Sequence, residues 1–360
     1  MADKRVYNFA AGPSTMPESA LKTAAAEMLN FRGSGMSVLE ISHRSPLFQE
    51  VFDGAKAKLK ALLQVPDTHE ILLLQGGATT QFAAIPLNLI EGGAADYAVT
   101  GNFSGKAAQE AEKYGTVRIA ADTADTGHNR IPTQDELMIS SDAKYFYYCA
   151  NNTIFGTEWH YVPQTQAPLV CDMSSDILSR RVDVSRFGLI YAGAQKNMAP
   201  AGLTVVIVDK RLAGREEPIT PKILSYKTMI ETDSLLNTPP CWCIYMLSLM
   251  LDWVRENGGI AGMEERKRAR AALLYDVLDD SRLYLPHARR EDRSFMNVTF
   301  STGKKELDAA FVDGAAQRGL VSVRGHKSTG GMRASLYNAM PFEGAKKLAD
   351  YMREFEREHV

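Results

Sequence analysis

Hydrophobic and polar positions along this chain follow two periods, and the chain switches between them repeatedly. Helical spacing marks Pro17–Leu29, with proline near its first turn. It returns in Pro46–Leu63, where Phe48, Val51, Phe52, Ala55, Leu59 and Leu62 form one apolar face. Short β-prone runs follow at Glu70–Gln75, Ala95–Thr100, Val117–Ala120, Tyr145–Cys149 and Leu169–Asp172. One more ends at Ala192, and another begins at Leu203. Helices are expected between several of them, from near Gln81 and from Gly101 to about Tyr114. Strands alternating with helices over roughly the first 210 residues predict a largely parallel sheet covered on both faces.

Beyond that point the pattern changes. Residues 213–238 are polar and irregular, and an apolar helix runs from Pro240 to about Glu256. Asn257-Gly258-Gly259 stops it, and a charged helix follows over Ala261–Asp279. Runs at Ser294–Phe300 and Met332–Leu336, with helices over Lys304–Arg318 and from Phe342 to about Glu358, predict a smaller α+β domain. The expected division is an extended Gly/Pro/Ser-rich arm (1–15), a large α/β domain (16–257) and the small domain (258–360).

Composition narrows the function classes. The 360 residues are 45% hydrophobic and 23% charged, with a formal net charge of −2. Such a balance offers no electrostatic footprint for nucleic acid or a membrane surface. No apolar run reaches the ~18 residues a membrane span needs, and Met1–Asn8 lacks the apolar core of a signal peptide. Cys149, Cys171, Cys241 and Cys243 show neither metal-ligand nor redox-pair spacing, so no metal is expected. A reducing cytoplasm is the expected compartment.

The candidate chemistry centres on Leu189–Val208, two apolar runs joined by a small-residue turn that carries Lys196. A lysine set deep between apolar strands is costly to keep charged, so its pKa is expected to fall from about 10.4. A neutral amine condenses with an aldehyde. On the strand pattern alone, a surface lysine on a hairpin fits as well. Upstream, Leu169–Asp172 reads as a strand ending in a carboxylate, 24 residues before Lys196. That spacing allows both at one sheet edge. Pyridoxal phosphate needs such a pair, a lysine for its aldehyde and a carboxylate for its ring nitrogen. Gly76–Thr80 is a glycine turn feeding a helix, which serves as a phosphate cradle or as a plain connection.

The stretch from Cys171 to Asn197 resembles the phosphoserine aminotransferase family, among the fold-type I pyridoxal-phosphate enzymes. The likeness runs almost end to end, through Asn8–Pro13, Glu40–Arg44, Asn237–Pro240, Gly330–Ser335 and Tyr337–Pro341. It implies a mostly parallel seven-stranded sheet sandwiched by helices, with a smaller C-terminal α+β domain. It also implies pyridoxal 5'-phosphate bound to Lys196 and opposed by Asp172. Cofactor phosphate would be held by Ala78, Thr79 and Gln195, and by Asn237 and Thr238 of a partner subunit. Thr153 would bond the phenolate side and Phe103 would stack on the ring.

The family often has tryptophan where Phe103 stands and arginine where Lys327 stands, and some of its members have arginine where Thr79 stands. This chain therefore lacks one cation and one bidentate fork. The resemblance makes Arg333 the clamp for a substrate α-carboxylate. It makes His43, Arg44, His326 and Lys327 the ligands of a distal anion. The implied reaction is transfer from L-glutamate to 3-phosphooxypyruvate, giving O-phospho-L-serine, in a homodimer with shared sites. It extends to the analogous 4-phosphooxy-threonine step of pyridoxine synthesis. Two other readings stand beside it. A desulfurase on the same fold needs a reactive cysteine in a late loop, whereas the last cysteine here is Cys243, in a helix. A non-catalytic binding protein would not need the Lys196–Asp172 pair.

Overall fold

The computed structural model describes residues 5–360. In chain order, β1 (Tyr7–Asn8), α1 (Glu18–Ala26) and α2 (Pro46–Leu63) come first. Strand β2 (His69–Gln75) feeds α3 (Ala78–Leu89), and β3 (Ala94–Val99) feeds α4 (Asn102–Ala111). Strands β4 (Thr116–Asp122) and β5 (Phe146–Cys149) follow, then a hairpin of β6 (Asn151–Asn152) and β7 (Thr157–Glu158). Next come β8 (Leu169–Asp172), β9 (Leu189–Gly193) and β10 (Leu203–Asp209). Helices α5 (Tyr226–Glu231), α6 (Cys241–Glu256) and α7 (Gly259–Asp280) lead to β11 (Leu285–Pro286) and β12 (Asn297–Ser301). The chain ends with α8 (Lys305–Gln317), β13 (Leu320–Val321), β14 (Met332–Ser335) and α9 (Phe342–His359).

The main sheet has seven strands in the order β2-β10-β9-β8-β5-β3-β4. Only β10 runs against the rest, pairing antiparallel with both β2 and β9. All other pairings are parallel, as the strand–helix alternation predicts. The single reversal matters because β9 and β10 form a hairpin whose connection emerges at the carboxyl edge of the parallel strands. That edge is where open α/β sheets place their ligands.

Both faces are buried. One core includes Phe48, Phe52 and Leu59 from α2 against Phe146 and Ile190 of the sheet. The other packs Phe82 and Ile85 from α3 against Tyr97, Tyr147 and Tyr191. The strongest local signal is in α2. Ser45 caps it by accepting from Phe48 N–H, and Pro46 takes the first turn, where its missing N–H costs nothing. The apolar stripe differs from expectation by one position, since Leu63 is buried and Leu62 only half so.

The three-stranded sheet β11-β12-β14 forms a second unit with α8 and α9. Its core holds Phe300, Phe311, Leu348 and Phe355, and Phe9 from the arm. The arm is thus extended but anchored at its far end. Strand β1 pairs parallel with β13, and Ser335 N–H donates to Phe9 O at 3.2 Å. From there the chain crosses back to the main sheet. No helix among the described residues is long and apolar enough to cross a membrane.

Candidate active site

Lys196 lies in the turn between β9 and β10, just beyond the last strand residue, Gly193. It is half-buried at the sheet edge, not set deep between the strands as the apolar runs suggest. Its Nζ donates to Thr153 Oγ1 at 2.9 Å and stands 5.5 Å from the centre of the Phe103 ring. Thr153 comes from the β6–β7 turn and Phe103 from the first turn of α4. Three segments distant in sequence therefore meet at one amine.

The arm holds the lysine's backbone. Ser14 Oγ donates to Lys196 O at 2.5 Å, and Ser14 N–H donates to Gln195 O at 3.1 Å. Gly12 has a φ of +130°, and a Cβ there would lie 3.3 Å from Cγ of both Gln195 and Lys196. Only glycine combines that backbone with that approach. Sequence reading identified this arm as a motif but missed Ser14 as a tether. A hydroxyl beside an X-Pro turn carries no periodic signal.

Asp172 ends β8, and its side chain is almost wholly buried. Ser174 N–H donates to its Oδ1 at 2.8 Å, and Tyr191 O–H to its Oδ2 at 3.1 Å. The first is an Asx-type turn that the strand-end position favours. The second follows from register, since Asp172 faces Tyr191 across the parallel β8–β9 pair.

Next to this pair is the start of α3. Its first residue is Ala78, three residues earlier than the helix start expected near Gln81, and Gly77 caps it. A Cβ on Gly193 would meet Gln195 Oε1 at 2.8 Å and Ala78 N at 3.4 Å. Gln195 and the free N–H groups of Ala78 and Thr79 therefore converge on a place kept open by glycine. The helix dipole adds positive potential there.

Arg333, on β14, brings the C-terminal unit to the same edge. One of its Nη atoms donates to Thr153 O at 3.4 Å. Burial lowers its pKa. Its Nε is buried with no hydrogen-bond partner, and among the described residues no carboxylate pairs with it. A half-buried guanidinium without a counterion is poised for an anion. His326 and Lys327 sit in the loop just before β14. Burial lowers the His326 pKa, and the charges of Arg333, Lys327 and Lys106 lower it further. Lys106, one helical turn beyond Phe103 on α4, is a cation that the sequence reading did not single out.

Among the described residues, no hydrogen bond or ion pair joins His43, Arg44, Asn237 or Thr238 to Lys196. His43 is buried in the loop before α2, its Nε2 lacks a partner, and Arg44 beside it is exposed. No hydrogen bond or ion pair among the described residues links either to His326 or Arg333. Asn237 and Thr238 are exposed in the loop before α6. Asn237 lines a small cavity with Gln75 and Thr80, and Thr238 O accepts from the Gln75 amide.

Residues 6–348 match the family model for class-V aminotransferases, and the chain belongs to that family. Within it, the chain stands with the phosphoserine aminotransferases. That of Geobacillus kaustophilus is 50% identical over 356 residues, 98% of this chain and 99% of its own. The solved phosphoserine aminotransferase from Bacillus circulans subsp. alkalophilus superposes with a TM-score of 0.97 at 41% identity, covering 99% of both chains. A pyridoxal-phosphate-bound phosphoserine aminotransferase from Trichomonas vaginalis gives 0.94 at 39% identity, covering 97% of this chain and 100% of that one.

Proposed function

We infer that the chain is a phosphoserine aminotransferase that uses pyridoxal phosphate. It exchanges the amino group between L-glutamate and 3-phosphooxypyruvate to give O-phospho-L-serine and 2-oxoglutarate. The observation that carries the reading is the convergence of the Lys196 amine, the buried Asp172 carboxylate and the unpaired Arg333 guanidinium at one sheet edge.

The residues present fit the cofactor. The glycine-lined opening beside Gln195 and the α3 N-terminus suits its phosphate. Phe103 offers an aromatic face, Thr153 a hydroxyl for the phenolate side and Asp172 an acceptor for the ring nitrogen. Bound there, pyridoxal phosphate supplies an aldehyde carbon to take up the amino group and a ring to withdraw electrons from Cα. Lys196 is the group that accepts the substrate Cα proton and later returns one. Arg333 holds the α-carboxylate, which orients the Cα–H bond for that transfer. Thr153, bonded to both Lys196 and Arg333, keeps the base and the clamp in one frame.

The same reading makes the enzyme a homodimer with shared sites. Asn237 and Thr238 would reach the partner's cofactor phosphate. His43 and Arg44 would join His326 and Lys327 around the distal anion. Their exposed or unpartnered polar groups support this, as do the exposed apolar Ile223 and Leu236 near Asn237. A boundary at 257/258 between two domains is part of the proposal, as is a cytoplasmic location. The four cysteines, all free thiols, suit that compartment.

A donor panel tests the function. The holoenzyme is mixed with phosphoserine, glutamate, 4-phosphooxy-threonine, serine and alanine, and loss of the bound cofactor's absorption band is followed. Phosphoserine and glutamate are expected to exceed serine and alanine by roughly 100-fold or more in kcat/KM, the scale of losing hydrogen bonds to several charged groups at once. Equal rates for serine and phosphoserine would overturn the substrate assignment. Sharing is tested by mixing an inactive Lys196→Ala protein with an inactive Asn237→Ala/Thr238→Ala protein. Hybrid dimers should regain activity.

A further inference from the structure

We propose that Tyr191, braced by Tyr147, is a positioning residue that fixes the direction of the Asp172 carboxylate. The inference rests on the reading above, in which Asp172 faces the ring nitrogen.

Three neighbouring strands place the groups. Tyr147 is on β5, Asp172 ends β8 and Tyr191 is on β9. All three side chains lie on one face of the sheet and are buried. Tyr191 O–H donates to Asp172 Oδ2 at 3.1 Å, and the Tyr147 and Tyr191 hydroxyl oxygens are 2.8 Å apart. Tyr191 has committed its only proton to the carboxylate, so Tyr147 is the donor in the second bond. Each hydroxyl therefore polarises the next toward Asp172.

The opposite carboxylate oxygen is fixed separately. Oδ1 accepts from Ser174 N–H at 2.8 Å, and Ser174 Oγ in turn accepts from Gly193 N–H at 3.0 Å. One bond on each oxygen sets the carboxylate plane and leaves the remaining lone pairs for a ligand. Both donors are neutral, so they orient the charge without cancelling it. Burial, with Asp172 close by, pushes both phenols well above their ordinary range, so neither loses its proton near neutral pH. Cys149, opposite Asp172 on β5, spends its thiol on Asn151 O and does not compete.

A tyrosine kept only to fill the core would need its ring and not its hydroxyl. Tyr191→Phe separates the two roles because the ring remains. Purified holoenzymes are compared for thermal midpoint, rate of cofactor release on dialysis, and circular dichroism of the bound cofactor's visible band. Tyr191→Phe should release cofactor roughly tenfold faster, the scale of one lost hydrogen bond to a charged group. Its visible dichroism should change as the ring loses its fixed partner. Tyr147→Phe should show a smaller change in the same direction, and it decides the question if Tyr191→Phe does not fold.

Tyr97→Phe is the packing control. It breaks a buried hydroxyl pair with Tyr145 on the same sheet face, 2.6 Å apart, that does not touch Asp172. It should leave release and dichroism unchanged. The proposal is overturned if Tyr191→Phe or, failing its folding, Tyr147→Phe behaves like wild type, or if Tyr97→Phe changes as much. Asp172→Asn keeps the two claims apart. If it too releases cofactor at the wild-type rate, the role of Asp172 itself is wrong and the proposal falls with it. If it speeds release while the tyrosine variants do not, only the tyrosine claim fails.

Discussion

The side-chain oxygen of Asn197 accepts the backbone N–H of Asn338 at 3.0 Å, with both residues almost wholly buried. The residue after Lys196 is thereby tied to the turn that follows Arg333. The same turn is gripped from the other side by Arg270, whose Nη1 donates to Asn338 O at 2.9 Å and Met340 O at 2.6 Å. Side-chain bonds thus tie the segments that carry Lys196 and Arg333, the proposed base and clamp, to one turn. Asn197→Ala leaves a buried N–H unsatisfied and should cost about 1–3 kcal/mol in urea unfolding. Cofactor retention should fall with it.

Arg333 and the distal cations should separate by substrate. Arg333→Ala removes a half-buried guanidinium that has no carboxylate partner among the described residues and that contacts Thr153 beside Lys196. Losing it should lower kcat/KM for phosphoserine, glutamate and alanine alike, by about 2–5 kcal/mol in transition-state terms. His326→Ala and Lys327→Ala should cut phosphoserine and glutamate and leave alanine within about threefold, because alanine has no distal anion and these groups sit at a wetter rim. Steady-state kinetics on the three amino acids distinguishes the patterns.

A largely buried four-charge network joins α7 to β7 and to the turn after β8. Lys267 Nζ lies 3.1 Å from Glu158 and 3.6 Å from Asp176, and Arg180 lies 2.8 Å from Asp176. Burial alone would raise the Asp176 pKa, but the Arg180 and Lys267 charges outweigh it and hold the carboxyl well below its ordinary range. A depressed carboxylate contributes stability above its unfolded pKa, about 3.9, and loses it as pH falls toward the folded value. Unfolding free energy should therefore drop steeply below about pH 4. Asp176→Asn should be less stable at neutral pH by about 3–5 kcal/mol, having left Lys267 and Arg180 short of charge. Its acid limb should be shallower than wild type, as read from denaturation curves at several pH values.

The legible parts of the sequence were those with local causes. Helix α2 was readable because one capping serine, one proline and one apolar stripe agree. The β9–β10 hairpin is readable from two apolar runs around a small-residue turn, and it carries Lys196 to the carboxyl edge of the parallel strands. That Asp172 and Lys196 lie at one sheet edge follows from their spacing, because adjacent parallel strands end together. What did not show were contacts between distant segments. Ser14 under Lys196, Asn338 on Asn197 and Tyr191 on Asp172 each depend on sheet register or chain crossing, which no window of sequence contains. The depth of Lys196 was overestimated because apolar flanks describe the strands and not the turn between them. His43, Arg44, Asn237 and Thr238 were nominated by motif alone. Among the described residues, no hydrogen bond or ion pair of their side chains marks them out.

Lys196 is the proposed attachment point of the cofactor, and borohydride reduction makes that bond permanent and traceable. Holoenzyme reduced with borohydride, digested and mapped by mass spectrometry should carry the cofactor mass on the peptide containing Lys196. Lys196→Ala should carry none while still binding cofactor reversibly. A tag on any other lysine, or no tag on a protein that holds the cofactor, would mean that Lys196 is not the attachment point.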